Sequence, residues 1–305
     1  MPNLSTDTAH IRAVSQSRLW PRALATTVLS LGTLGLFSLT YWLFIKTVRG
    51  QWLDERALLG ARRFVQETPA LHNELGWFTY IPLAIAIGGV AVAIAQVFIR
   101  RSVIIPAIAL TSAGFGIVCV RILKQTLLER PFTGVSEAYI NSFPSGHSAL
   151  AIGGMFAALL SMRARSRTWF SIIGALIAAA GGSVTFIMSW HRPADIVGSY
   201  LVVGFFAILA AGIIGWIDND RPAVTFSAIA CTVTGTGLAA LTAAAMLLPE
   251  FVNVAQSRPL TTTADDAAAM ASQLFTLLAV GLIVGTALAL FGVIERLAMP
   301  ARTAR

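Results

Sequence analysis

Long stretches of this chain carry almost no ionisable side chain, and that property limits its possible folds more than any other. Apolar runs extend roughly over Ala23–Ile45, Gly76–Ile99, Val103–Leu123, Ser148–Met162, Trp169–Trp190, Ile196–Trp216, Val224–Leu248 and Gln273–Ile294. The hydrocarbon layer of a bilayer is about 30 Å thick, and about 20 helical residues cross it. Backbone polar groups in that layer find no water, so a spanning segment must be a helix or part of a closed barrel. The runs lack the alternation of a barrel strand. The expectation is an all-α, polytopic membrane bundle of eight spans, the fourth short and starting as early as Gly146.

Composition agrees. Charged residues make up 12% of the 305 and hydrophobic residues 56%, whereas a soluble domain is about 25% charged. The expected organisation is a cytoplasmic tail over 1–22, a six-span core over 23–216, and two further spans with a short cytoplasmic tail over 217–305. Five of the seven tryptophans (Trp20, Trp77, Trp169, Trp190 and Trp216) fall at span ends, where an amphipathic ring prefers to sit. With both termini inside, the inner segments hold twelve arginines against four acids, and the outer segments nine basic against ten acidic residues. The bias is clearest in the short loops at Arg100–Arg101 and Arg163–Arg167, where positive charge best predicts the cytoplasmic side.

The net charge of +8 comes with no basic run or nucleic-acid motif, so no nucleic-acid partner is expected. Cys119 and Cys231 lie in apolar runs and read as small hydrophobes, with no disulfide and no metal. Residues 1–20 lack the apolar core and small-residue cleavage site of a signal peptide. In the first outer loop, Leu53, Ala57, Leu58, Ala61 and Phe64 recur at helical spacing. This indicates an amphipathic helix, either lying on the membrane surface or packed on other loops. Its charges, Asp54 and Glu55 among them, read as a solvated face. Glycines in the spans (Gly153–Gly154, Gly181–Gly182, Gly235 with Gly237) read as packing positions. The connector Pro249–Met270 reads as free of chemistry. His10, His72, Glu129 and Glu137 read as solvated, and Asp218 with Asp220 as inner acids without further metal ligands.

Three segments on the outer side stand apart: Lys124 with Arg130-Pro131, Pro144-Ser145-Gly146-His147, and His191-Arg192-Pro193-Ala194-Asp195. Ionisable groups at the membrane boundary are costly to desolvate, which makes them functional candidates. Lys124 and Arg130 are donors suited to a phosphate dianion. Ser145 and Gly146 precede a helix, where free N–H groups favour an anion and glycine permits close approach. One histidine can attack phosphorus while the other protonates the leaving oxygen. Asp195, four residues after His191, is placed to hold its ring. Each element alone is unspecific; their order and common face give them weight.

Together these segments resemble the type 2 phosphatidic acid phosphatases, membrane relatives of the vanadium haloperoxidases. The family pattern is Lys, six residues, Arg-Pro; then Pro-Ser-Gly-His; then Ser-Arg, five residues, His, three residues, Asp. Pro144-Ser145-Gly146-His147, His191 and Asp195 match in full. The resemblance covers about 23–216. It implies that His191 is the nucleophile forming a phosphohistidine, that Asp195 orients it, and that His147 is the general acid. It further implies that Lys124, Arg130, Ser145 and Gly146 cradle the phosphoryl oxygens, without metal or other cofactor. The partners it implies are the bilayer and a lipid phosphate or diphosphate substrate.

The chain departs from the pattern twice. Five residues, not six, separate Lys124 from Arg130, and Arg121 one turn earlier is a second candidate donor. Val184-Thr185 stands where the family has Ser-Arg, leaving Arg192 either as a substitute donor or as an outer-surface charge. The same residues also fit a lipid phosphotransferase, or a non-catalytic lipid-phosphate binder or transporter.

Overall fold

A computed structural model describes residues 4–68, 70, 76–135, 141–220, 226–249, 253 and 266–300, with side chains described from 21 onward and, in the last segment, from 271. It is helical, and no strand occurs among the described residues. The helices are α1 (Leu4–Thr40), α2 (Val48–Gln66), α3 (Ile81–Arg100), α4 (Ile104–Ile122), α5 (Gly146–Ser161), α6 (Ala164–Ile187), α7 (Pro193–Ile217), α8 (Phe226–Leu247) and α9 (Asp266–Ala298). Two of them run on into π-helical turns, α1 into Tyr41–Ile45 and α4 into Leu123–Leu127.

Among the described residues seven helices are long and apolar enough to cross a membrane, and the chain is a multi-pass, all-α membrane bundle. The fourth predicted span, α5, begins at Gly146 and has 16 residues. At about 1.5 Å per residue it is some 24 Å long, short of a bilayer core. The reason lies in its surroundings. Nearly every side chain from Ser148 to Ser161 is buried, and α3, α4, α6 and α7 pack around it. A helix sheathed by other helices does not meet lipid, so the bilayer does not set its length.

Small residues set the helix crossings, as expected where lipid tails remove the hydrophobic drive between helices. A Cβ on Gly89 would collide with the backbone of Gly154, and one on Gly182 with the Tyr200 hydroxyl. Gly235 faces the backbone of Gly285 and Ala289 in the same way, whereas Gly237 faces open space. The last helix is embedded: Phe291 of α9 is fully buried, with its ring centre 4.8 Å from that of Phe156 in α5.

The end of the bundle remote from the histidines is closed by ion pairs. Arg100 reaches Asp218 at 2.8 Å and Asp220 at 2.9 Å, and Arg167 reaches Asp218 at 2.8 Å. Arg167 also donates to the carbonyls of Ala298 at 2.6 Å and Leu160 at 3.1 Å. The acids Asp218 and Asp220 are therefore counter-charges, and no group fit to hold a metal occurs among the described residues. Of the remaining sequence expectations, His10, His72, Glu137 and nearly all of the connector Pro249–Met270 lie outside the described residues or side chains.

Removing one member of a buried pair strands the other and costs about 3–5 kcal/mol. Asp218→Ala, which strands both Arg100 and Arg167, is expected to lower the thermal unfolding midpoint in detergent sharply. Asp220→Ala, at a more exposed carboxylate, is expected to lower it much less.

Candidate functional site

The loop before α5 is anchored by an apolar side chain. Phe143 is fully buried, with its ring centre 5.5 Å from those of Phe37 and of Tyr41. Gly198 of α7 leaves room for that ring, since a Cβ there would collide with it. Asn141 ties the loop to the end of α4: its Nδ2 lies 2.8 Å from the Leu128 carbonyl and 3.0 Å from that of Phe143. Ser145 then caps α5, its Oγ accepting the Ser148 N–H at 3.3 Å and its carbonyl the Ala149 N–H at 3.1 Å. The first N–H groups of a helix have no intrahelical acceptor, so Gly146 and His147, both exposed, present theirs at the helix end. A Cβ on Gly146 would stand in open space. Packing does not require glycine there; its effect is to leave the helix terminus bare.

The second histidine arrives on a strained turn. The Ser189 N–H donates to the Phe186 carbonyl at 2.8 Å and the Trp190 N–H to that of Thr185 at 3.2 Å. These bonds close α6 with Ser189 at φ 60°, a left-handed position where glycine is usual. The turn delivers His191 and Arg192 directly before α7, which opens with Pro193. Asp195, in the first turn of α7, accepts the Arg192 N–H at 3.1 Å through Oδ2, which also lies 3.4 Å from His191 Nδ1. A proton on Nδ1 facing that carboxylate leaves the Nε2 lone pair for chemistry. The two histidine segments are stitched together by the Ser145 N–H, which donates to the Asp195 carbonyl at 2.9 Å. The Ser199 hydroxyl adds to this, lying 2.6 Å from the Ser145 carbonyl and 2.8 Å from that of Asp195.

The three sequence segments converge. The ring centres of His147 and His191 are 6.1 Å apart, and Trp190 lies 5.8 Å from His147. Lys124, in the second π-helical turn, acts electrostatically on His147. The Arg130 side chain is 3% exposed, and its Nη2 lies 3.3 Å from Asp195 Oδ1. Its Nε and Nη1 are buried without a hydrogen-bond partner. Arg121 is exposed and its Nε donates to Gln125 at 3.4 Å. The Ser145 hydroxyl is fully buried and engaged with Ser148. Thr185, at the family's arginine position, is fully buried and its hydroxyl donates to the Gly181 carbonyl at 2.7 Å.

Arg192 is not an outer-surface charge, since it is 6% exposed. Its Nε and Nη2 donate to Glu55 Oε2 at 2.8 and 2.6 Å, and Nη1 lies 3.5 Å from Ser142 Oγ. Burial works against the charge, but the carboxylates of Glu55, Asp195 and Asp54 outweigh it and raise the Arg192 pKa above its ordinary value.

The solvated face expected for α2 is likewise overturned. Asp54 and Glu55 are 0% and 6% exposed, although Glu129 is exposed as expected. Asp54 Oδ1 accepts the Ala194 N–H at 3.0 Å and Oδ2 lies 3.6 Å from Arg130 Nη2. A signal was present in the sequence. Asp54 shares a helical stripe with Ala57, Leu58 and Ala61, at offsets of three, four and seven residues. An acid in the middle of an apolar stripe marks a buried partner.

No family model, curated protein or solved structure matches the chain. Fold and site together define a multi-pass helical membrane protein in which two histidines, two arginines, a lysine and three carboxylates gather at one end of the bundle.

Burial, with the Asp195 charge adding to it and Arg130 opposing it, raises the Asp54 pKa to about 7. An unfolded aspartate titrates near pH ~4, so between about pH 4 and 7 the folded protein holds a proton that the unfolded chain has shed. Stability in detergent is therefore expected to fall as pH rises through that window. Asp54→Asn keeps an acceptor for the Ala194 N–H and should flatten the decline. A slope that survives the substitution would assign the proton to another group.

Proposed function

We propose that this protein is an integral-membrane phosphatase acting on a lipid phosphate or diphosphate through a phosphohistidine at the outer membrane face. The observation that carries the reading is the convergence of His147, the His191–Asp195 pair, Lys124 and a buried Arg130 with two unsatisfied nitrogens at one helix terminus. An arginine with two unpartnered nitrogens, a lysine, two imidazoles and bare helical N–H groups suit a phosphoryl group. The ordered motif resemblance to the type 2 phosphatidic acid phosphatases supports the same chemistry, and the distribution of loop arginines supports the outward orientation.

In this mechanism His191 Nε2 attacks phosphorus, with Asp195 holding its ring and stabilising the imidazolium that forms. Arg130, Arg192, Lys124 and the Gly146 and His147 N–H groups take up the charge that develops on the phosphoryl oxygens. His147 gives its proton to the leaving oxygen. It then takes one from the water that attacks the phosphohistidine, which frees phosphate and restores His191. Exposed apolar side chains flank the site, with Leu127 at 66% and Phe132 at 68% exposure, and these favour a substrate with a hydrocarbon tail. Polyprenyl phosphates and diphosphates, phosphatidic acid and phosphatidylglycerol phosphate all meet that description. The buried, already engaged Thr185 favours a second reading, a non-catalytic lipid-phosphate binder. The paired His191 and Asp195, which binding alone does not need, weigh against it.

The test is phosphate release from a panel of lipid phosphates by the purified protein in detergent with chelator present, assayed with and without an alcohol or sugar acceptor to separate hydrolysis from phosphotransfer. His191→Ala is expected to abolish release and the acid-labile phosphoprotein; unchanged release would sink the mechanism. Gly146→Ala places its methyl group where no protein atom stands. It is expected to keep the unfolding midpoint while lowering kcat/KM by about tenfold to a hundredfold, the scale of a misplaced reacting group.

A further inference from the structure

We infer that α2, which carries none of the motif residues, is the positioning wall of this site: Glu55 holds Arg192, Asp54 holds the first turn of α7, and α9 holds α2. The inference rests on the proposed phosphatase reading and assigns a role to acids that the motifs do not include.

Two acids adjacent in sequence are both buried, and each faces a different arginine of the cluster. Glu55 Oε2 takes two nitrogens of Arg192, at 2.8 and 2.6 Å. Asp54 Oδ1 accepts the Ala194 N–H at 3.0 Å, while Oδ2 stands 3.6 Å from Arg130 Nη2, beyond hydrogen-bonding distance. It therefore ties α2 to the first turn of α7, where Asp195 sits, and faces a motif arginine without gripping it. A buried ion pair adds little net stability over a well-packed apolar pair, because desolvation offsets the attraction. What it does supply is direction. A guanidinium has a rigid fork of donors on a flexible stem, and gripping part of the fork orients the rest.

α2 is itself held from both sides. Gln51 Nε2 lies 2.8 Å from the Ile45 carbonyl and 3.0 Å from that of Pro131, beside Arg130. On the far side, Thr276 of α9 donates to the Ala57 carbonyl at 3.0 Å. Gly60 lets the two helices meet, since a Cβ there would collide with the Ser272 carbonyl. α9 thus backs the helix that sets Arg192.

A positioning residue acts through its partner, and a double-mutant cycle reads this directly. In the phosphate-release assay, Arg192→Ala and Glu55→Ala are each expected to lower kcat by about 10²–10³, the scale for a transition-state donor, with KM changing less than threefold. The double variant is expected to lose no more than Arg192→Ala alone. Glu55→Gln, which keeps an acceptor, should recover part of the loss, and it carries the cycle if Glu55→Ala fails to fold. Losses that multiply in the double variant, or full kcat in Glu55→Ala, would overturn the inference while leaving the phosphatase reading intact. A wild-type protein that neither releases phosphate from any lipid nor binds inorganic phosphate would overturn both.

Discussion

The site depends on one buried carboxylate. Asp195 lies 3.4 Å from His191 Nδ1 and 3.3 Å from Arg130, and it accepts the Arg192 N–H at 3.1 Å. Its own carbonyl receives the Ser145 N–H. Every segment that bears a candidate functional group, apart from Lys124, is thereby tied to the first turn of α7. The position is favourable for a charge, because free N–H groups and the positive end of the helix dipole lie there. The acid that caps α7 is also the one that gathers the imidazole and the arginine.

The two ends of the bundle solve the same problem with opposite consequences. Each concentrates arginines and carboxylates where helices end. At the end remote from the histidines, Arg167 and Asp218 are wholly or almost wholly buried, and Arg167 spends further donors on two helix-terminal carbonyls. Charge there is largely consumed in closing the bundle, although Arg167 Nε is also left without a partner. At the histidine end Arg130 keeps Nε and Nη1 without a partner, His147 and Gly146 are exposed, and the loop into α5 is anchored by Phe143 instead of by charge. Leaving a buried donor unsatisfied costs about 1–3 kcal/mol or more for a charged group. Two such nitrogens on one side chain, beside the exposed Gly146 and His147, are what the proposed anion site rests on.

Most of the architecture could be read from span length and composition, since seven of the eight apolar runs became helices long enough to cross a membrane. The exception, α5, is short because other helices enclose it, and no property of its own residues records that. The histidine segments were legible because their chemistry is local: cap, glycine, imidazole, and an acid four residues on. The partners of the charges were not. Arg192 meets Glu55 across 137 positions and Arg100 meets Asp218 across 118. Charges on span ends look alike whether they face solvent or one another. Asp54 is the instructive miss, because its place in an apolar stripe was visible but its charge was read as part of a solvated face.

Thr185 and Arg192 differ in what each brings to the cluster. With the hydroxyl of Thr185 turned back onto its own helix, α6 brings no cation to the cluster, and the nearby arginine sits instead on the cap of α7. That place has a consequence that the α6 position would not have. A guanidinium beside His191 and at the positive end of α7 stands in an unfavourable field, and burial adds to the cost. Glu55 and the neighbouring carboxylates reverse that balance, which is why the Arg192 pKa lies above its ordinary value despite burial. An arginine in this position therefore requires an acid from outside the motif segments, and α2 is the element that supplies it. The amphipathic helix after α1 and the arginine on the cap of α7 are, on this account, two halves of one structural solution.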